Sequence, residues 1–218
     1  MPKNLLRPIV EIVVASFAIA DGRLSVAVVR RDAAPFAGRS ALISGPVRGG
    51  DRDANAAATR LGRGQAGDDH VQIEQLMTFA GPDRDPRGWS VAVAYLALVR
   101  AAPRIPERYV PVNAALRLAF DHDRILAAAL ERLRGKSTYS TLPAMLLPDT
   151  FTLPQLKAVY ETVIGTSLND SAFRRKMSEL RIVEPIAEQK VAATAVRRRP
   201  AQIYRLVRPG VTAFDRTI

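Results

Sequence analysis

Residues 152 to 181, TLPQLKAVYETVIGTSLNDSAFRRKMSELR, constrain the fold more than any other stretch, because they mark both ends of one helix and the start of a second. Thr152 and Gln155 stand at the spacing at which a hydroxyl and an amide each satisfy a free backbone N–H of a helix start. Leu153, Leu156, Tyr160 and Val163 then recur on one face, and Gly165 supplies the stop. A short connection, TSLND, leads into SAFRRKMSELR. On a 3.6-residue period Phe173, Met177 and Leu180 share one side, while Ser171, Arg175 and Ser178 point the other way, flanked by Arg174 and Lys176. One side of this second helix can pack against the first. The other is short, polar and basic.

Two strand-like segments follow, IVEPIA and AQIYRLV, joined by a loop that carries Arg197, Arg198 and Arg199. Helix, tight turn, basic helix and two-stranded ribbon with a basic tip form the outline of a winged helix-turn-helix. An α-helix fits the major groove of B-DNA and presents side chains near its N-terminus to base edges. Arginines and lysines on a wing neutralise phosphates and supply salt-dependent affinity. Residues 169–208 hold ten basic and four acidic side chains. Taken singly, FRRKM reads as a solvated helix face and RRR as a solvated loop; in this order they read as a surface for double-stranded DNA. Its expected members are Lys136, Thr152, Ser171, Arg174, Arg175, Lys176, Ser178, Arg197, Arg198, Arg199 and Gln202.

The first hundred residues have a different character. IVEIVVASFAIADGRLSVAVVRR reads as two strands joined at Asp21-Gly22, a dipeptide suited to a hairpin turn. VQIEQLMTFA and WSVAVAYLALV are further strands around the turn-rich GPDRDPRG, and ANAAATRL is an Ala-rich helix between the pairs. A helix over ILAAALERLR follows, with Asp121 or Asp123 as its cap and Gly135 as its end. The spacing predicts an α+β chain of two parts, residues 1–140 including this connecting helix and residues 141–218. A net charge of +11 divides as +6 over residues 1–140 and +5 over the shorter remainder, so attraction to a polyanion is expected and is denser in the second part. The absence of cysteine excludes disulfides, thiolate catalysis and Cys-based metal sites. Near the N-terminus, Glu11 interrupts the apolar run, and IVVASFAIA is far shorter than the roughly 20 residues that span a bilayer. That segment is read as a buried strand of a cytoplasmic protein, with no membrane partner.

The segment GPVRGGDRDANAAATRLGRGQAG, residues 45–67, resembles a Nudix box, G-x5-E-x7-R-E-U-x-E-E-x-G-U, in its frame but not in its acids. Gly45 takes the first glycine, Asp51 the first acid and Leu61 the first aliphatic position. The REUxEE positions read Thr59, Arg60, Leu61, Gly62, Arg63 and Gly64. In the Nudix hydrolases that run holds divalent metals, which need clustered anionic oxygens. Two cations and a glycine do not supply them. The approach GRSALISGPV also departs from the family's GRWALPGGFV, and Pro46 removes a backbone N–H beside the supposed phosphate site. No catalytic residue, metal ligand or cofactor is therefore expected. Arg39, Arg48, Arg60 and Arg63 are candidates for binding a diphosphate directly, since guanidinium groups pair bidentately with phosphate; taken singly, each reads as a surface arginine.

The phrases FDH, LLP…FTL…L…VYE, FRRK and RPAxxYR recur in this order in the C-terminal part of the Nudix-related transcriptional regulators of NAD metabolism, the NrtR family, and are present here. TFAGPDRDPRGWSVAVAYLAL is similar to the family's N-terminal part. The resemblance covers roughly residues 9–208. It implies a Nudix-like α/β/α sandwich followed by a winged helix-turn-helix, and a homodimer that represses NAD biosynthesis or salvage genes at a palindromic operator. It also implies release from DNA by ADP-ribose or a related nucleotide. Two other readings stand beside it: a working Nudix hydrolase with an appended DNA-binding module, and a basic adaptor that binds nucleic acid without sequence preference. Asp83 and Asp85 read as loop-shaping residues, His122 as a helix cap, His70 as surface, and Arg132, Arg134 and Lys136 as a solvated helix end favoured by the macrodipole.

Overall fold

The computed structural model describes residues 6–66, 71–100, 107–113, 116–191, 201–215 and 217. Two compact units divide the chain: Met1–Val99 with Pro103–Arg132, and Arg100–Ala102 with Leu133–Ile218.

The first unit is built on a mixed sheet. Its strands are β1 (Ile9–Ala20), β2 (Arg23–Arg30), β3 (Ser40–Gly45), β4 (Val71–Gly81), β5 (Ser90–Val99) and β6 (Tyr109–Pro111), in the order β4-β5-β1-β3-β2-β6 with a further β1–β2 pairing. The Asp-Gly hairpin forms where the dipeptide predicts it, with φ of 49° at Asp21 and 71° at Gly22, as a type I′ turn requires. β1 and β5 run parallel from Ile9↔Ser90 to Phe17↔Leu98, and the other pairings are antiparallel.

From Val13 to Ala18 every residue of β1 is buried, so both faces of the sheet are covered. Helix α1 (Ala54–Ala66) lies over one face and packs Ala57 and Ala58 against Ile12, Val14, Ile43 and Tyr95. Val13, Phe17, Leu42, Leu96 and Leu98 are buried on the opposite face, as the registers dictate. At one to three kcal/mol for each large apolar side chain removed from water, these two layers supply most of the driving force for the unit.

Polar latches close the far end of the sheet. Arg84, nearly buried, donates from Nε and Nη2 to the two carboxylate oxygens of Asp121 at 3.1 and 2.8 Å and from Nη1 to Ser90 Oγ at 3.0 Å. Arg87 forks onto the buried Asp85 and reaches Glu11 at 2.9 Å. His122 opens helix α2 (His122–Ser137), but its ring is buried and its Nδ1 accepts the Leu42 N–H at 3.0 Å. The expected caps take other partners: Asp121 is held by Arg84, and Asp123 accepts the Leu118 N–H at 3.1 Å. Gly135 lies inside the last turn of α2 instead of ending it, since the helix runs on to Ser137.

The second unit takes up α2 from Leu133. A 3-10 turn at Leu142–Leu146 follows, then β7 (Phe151–Thr152), α3 (Leu153–Ile164), α4 (Asp170–Leu180), β8 (Val183–Val191) and β9 (Ala201–Leu206). The strands form an antiparallel sheet in the order β7-β9-β8. The capping box is complete: Thr152 Oγ1 accepts the Gln155 N–H at 3.3 Å and Gln155 Oε1 accepts the Thr152 N–H at 2.7 Å. Gly165 closes α3 in the left-handed region at φ 82°. Inside the unit the rings of Tyr160 and Phe173 meet edge to face at 5.6 Å, and Tyr160 donates its hydroxyl to Ser140 O at 2.8 Å. That contact locks the apolar sides of α3 and α4 together.

Candidate functional site

Helix α4 is positioned by its own ends and by its inner face. Asn169 caps it, accepting the Ala172 N–H at 3.0 Å, and Arg181 leaves it in the left-handed region at φ 50°. Phe173 and Met177 are buried, whereas Ser171, Arg174, Arg175, Ser178 and Glu179 are exposed and Lys176 is half-buried. An ion cluster sets the turn between α3 and α4. Lys157 Nζ contacts Glu161 Oε1 at 2.9 Å and Asp170 Oδ1 at 2.7 Å, and Glu161 Oε1 also accepts the Leu168 N–H. Asp170, then Glu161, raise the Lys157 ammonium above its ordinary value, and Lys157 in turn lowers Asp170. Among the described residues Arg175 meets only Glu179, at 3.7 Å, so its guanidinium is carried outward at little cost in competing contacts.

The other expected members of this surface divide into three groups. The Thr152 hydroxyl is engaged with Gln155 in the capping box, and Gln202 Nε2 donates to Ile186 O and Ile203 O beside the irregularity in the β8–β9 pairing. Lys136 is half-buried in the last turn of α2. Arg197, Arg198 and Arg199 lie outside the described residues, between β8 and β9. The helix end expected to be solvated leaves Arg132 and Arg134 exposed and Lys136 half-buried, with long contacts of 3.4 Å from Arg132 Nη2 to Leu76 O and from Arg134 Nε to Val163 O.

In the first unit, the degenerate box keeps the Nudix frame for a packing reason. A Cβ added to Gly45 would lie 3.3 Å from Leu61 Cδ2, so the first glycine and the first aliphatic residue are neighbours. Asp53 caps α1, accepting the Ala56 N–H at 2.8 Å. Asp51 and Arg60 are paired with each other. Arg60 Nε donates to Oδ1 at 2.8 Å and Nη2 to Oδ2 at 2.7 Å, while Oδ2 also accepts the Arg48 N–H at 2.7 Å. The hydrogen bond from Arg60, then that from the Arg48 amide, push the Asp51 carboxyl down to about 2. The one carboxylate left at a box position is thus committed to an internal cation, and the donor set does not fit a divalent metal.

The remaining candidates are scattered. Arg39 donates to Leu118 O at 2.7 Å and lies 5.3 Å from the Phe36 ring centroid, a structural role for a residue expected to bind ligand. The Arg48 and Arg63 side chains are exposed. Among the described residues no three His, Asp or Glu side chains converge as metal ligands, and no helix is long and apolar enough to cross a membrane.

A capped basic helix beside a three-stranded winged sheet, preceded by a Nudix-type sheet that lacks most of the box's acids, defines a DNA-binding regulator with a Nudix-like domain. Comparison with known proteins agrees. Residues 143–206 match the NrtR DNA-binding winged helix domain. The chain is 35% identical over 208 residues to the ADPR responsive transcriptional repressor NtrR of Acinetobacter baylyi, a match that covers 91% of this chain and 82% of that one. It is similar along 96% of its length to Shewanella oneidensis NrtR complexed with a 27mer DNA, with a TM-score of 0.82, 29% identity and 99% of that chain covered. The Nudix domain of the same Shewanella oneidensis protein, complexed with ADP ribose, aligns with 61% of this chain and 93% of its own at 30% identity and a TM-score of 0.51. The chain belongs to the NrtR family of Nudix-related transcriptional regulators.

Proposed function

We propose that this chain is a cytoplasmic transcriptional repressor that binds a palindromic operator as a homodimer, controls genes of NAD biosynthesis or salvage, and is released by ADP-ribose or a related nucleotide. The observation that carries the reading is α4: its Asn169 cap and Phe173–Met177 anchor leave Ser171, Arg174, Arg175 and Ser178 together on the outward side. In this reading Ser171, in the first turn of α4, and Arg175, about one turn further on, meet base edges, Arg174 and Lys176 meet phosphates, and Lys136 and Arg197–Arg199 add backbone contacts at either side. Thr152 and Gln202 reach the DNA through their backbone or not at all, their side chains being engaged inside the unit.

Release by a nucleotide requires that the ligand bind one arrangement of the dimer better than the other. Support for the ligand class comes from the Acinetobacter baylyi relative, described as ADPR responsive, and from the ADP ribose complex of the Shewanella oneidensis domain. The reading with a working hydrolase loses its basis at Asp51, whose carboxylate is paired with Arg60.

The test is a mobility shift of the purified chain on DNA from its own promoter neighbourhood, with scrambled DNA as competitor and ADP-ribose added in steps. Retention of the promoter band over competitor, and its loss on adding ADP-ribose, is the expected result. Equal binding to promoter and scrambled DNA would sink the repressor reading. Hydrolysis of ADP-ribose to AMP and ribose 5-phosphate when Mg²⁺ is added would restore the hydrolase.

A further inference from the structure

We infer that the Arg60 guanidinium, fixed by Asp51, replaces the divalent metal of a Nudix site, so that this unit binds the diphosphate of a nucleotide without metal. The inference rests on the proposed reading that ADP-ribose or a relative is the ligand. The geometry supplies the argument. Arg60 is anchored on one edge only: Nε and Nη2 go to Asp51, Nη2 also approaches Pro46 O at 3.2 Å, and Nη1 donates to none of the described residues. The side chain is 29% exposed while its partner is 6% exposed, so the carboxylate is the buried half of the pair and the cation faces out. A guanidinium held this way is preorganised, and planar N–H groups on its free edge match phosphate oxygens.

The surroundings favour an anion and oppose a metal. From Pro46 to Gly64 four arginines stand against two aspartates, and Asp53 is occupied by the helix start and by Arg52. Gly49 and Gly50 sit on the same loop with open space around the position of a Cβ, which leaves room for a bulky ligand to approach the backbone. A divalent ion bound to Asp51 would lie within a few ångströms of Arg60, like charge against like, and would have to displace a bidentate pair to gain one oxygen ligand. The sensor therefore gains nothing from magnesium.

Calorimetric titration of the full chain with ADP-ribose, once in EDTA and once in millimolar Mg²⁺, tests this, with Mn²⁺ alone as a separate titrant. Equal affinities within about twofold, no heat from Mn²⁺, and binding at least tenfold weaker for Arg60→Ala are the expected results. Arg60→Lys, which keeps the charge but not the fork, should fall between, and an unchanged thermal unfolding midpoint shows that either variant is folded. Binding that strengthens tenfold or more with Mg²⁺, or saturable binding of Mn²⁺ alone, overturns the inference and leaves the ligand reading intact. An Arg60→Ala chain that stays folded and binds as the parent does overturns it as well. Failure of ADP-ribose to bind under either condition removes the ligand reading and this inference with it.

Discussion

Single residues in this chain are assigned to jobs by what they have left to offer after their own contacts are made. Arg175 has almost everything left, with one loose ion pair to Glu179 at 3.7 Å. Arg175→Ala is expected to lower the preference for operator over scrambled DNA by roughly 1–3 kcal/mol, the value of a base-edge contact, whereas Arg174→Ala should weaken both DNAs alike. Competition binding on the two DNAs separates these outcomes, and equal losses for Arg175→Ala would remove it from base recognition. His122 is the opposite case. Burial pushes its imidazole down to about 4 from an ordinary value near 6.5, and its Nδ1 is already an acceptor for Leu42 N–H. The folded unit holds it neutral while the unfolded chain protonates it below about 6.5, so its contribution is intact above that pH and is lost as pH falls toward 4. Chemical denaturation of the intact chain should show a stability loss on the order of 1 kcal/mol between pH 7 and 5.5, and close to 3 kcal/mol by pH 4 from this group alone. His122→Asn, which keeps an acceptor for Leu42, should flatten that slope; an unchanged slope would assign the titration elsewhere.

At the scale of elements, legibility in the sequence followed length and local chemistry. α3 carries its capping box, its apolar face and its glycine stop within one short stretch; the box and the stop stand where the pattern predicts them, and the buried face keeps Leu156, Tyr160 and Val163, takes in Val159 and leaves Leu153 half-buried. Thr152→Ala is accordingly expected to cost about 1 kcal/mol and Thr152→Ser close to nothing. Denaturant unfolding measures the difference; equal costs would mean that the methyl group, not the hydroxyl, matters. The same reasoning failed for β3, β6 and β7, which hold six, three and two residues. β6 and β7 are too short for a period and SALISG in β3 shows no alternation, so all three are strands because β1, β2 and β9 offer them edges, which is information from distant sequence. The parallel β1–β5 pairing is non-local in the same way. In the degenerate box, loss of the metal carboxylates was plain from Arg60, Arg63 and Gly64. The Asp51–Arg60 pair was not, because it depends on a loop that brings residues nine apart face to face. Asp121 and Asp123 looked like caps and were claimed instead by Arg84 and by the Leu118 amide, since a buried guanidinium or a buried N–H has fewer alternatives than a solvated helix start.

For the molecule as a whole, the charge of +11 is spread over both units, so attraction to DNA alone distinguishes nothing; geometry must supply the specificity. One outward helix face with two or three base-reading side chains covers too few base pairs to single out a site among the many that a genome offers. Two copies of that face on a homodimer would cover a palindrome, with half-sites one helical turn, ~34 Å, or a multiple of it apart. The proposed dimer therefore makes a prediction about the DNA. Inserting five base pairs between the half-sites of the operator turns one of them about half a revolution away, and binding should drop to the level of scrambled DNA. Inserting about ten base pairs restores the facing but lengthens the span, so any recovery measures how far the two recognition helices can separate. Mobility shifts on the three spacings suffice. A chain that binds all three equally well reads each half-site as a monomer, and a ligand that acts by changing the register between two copies would then have nothing to act on.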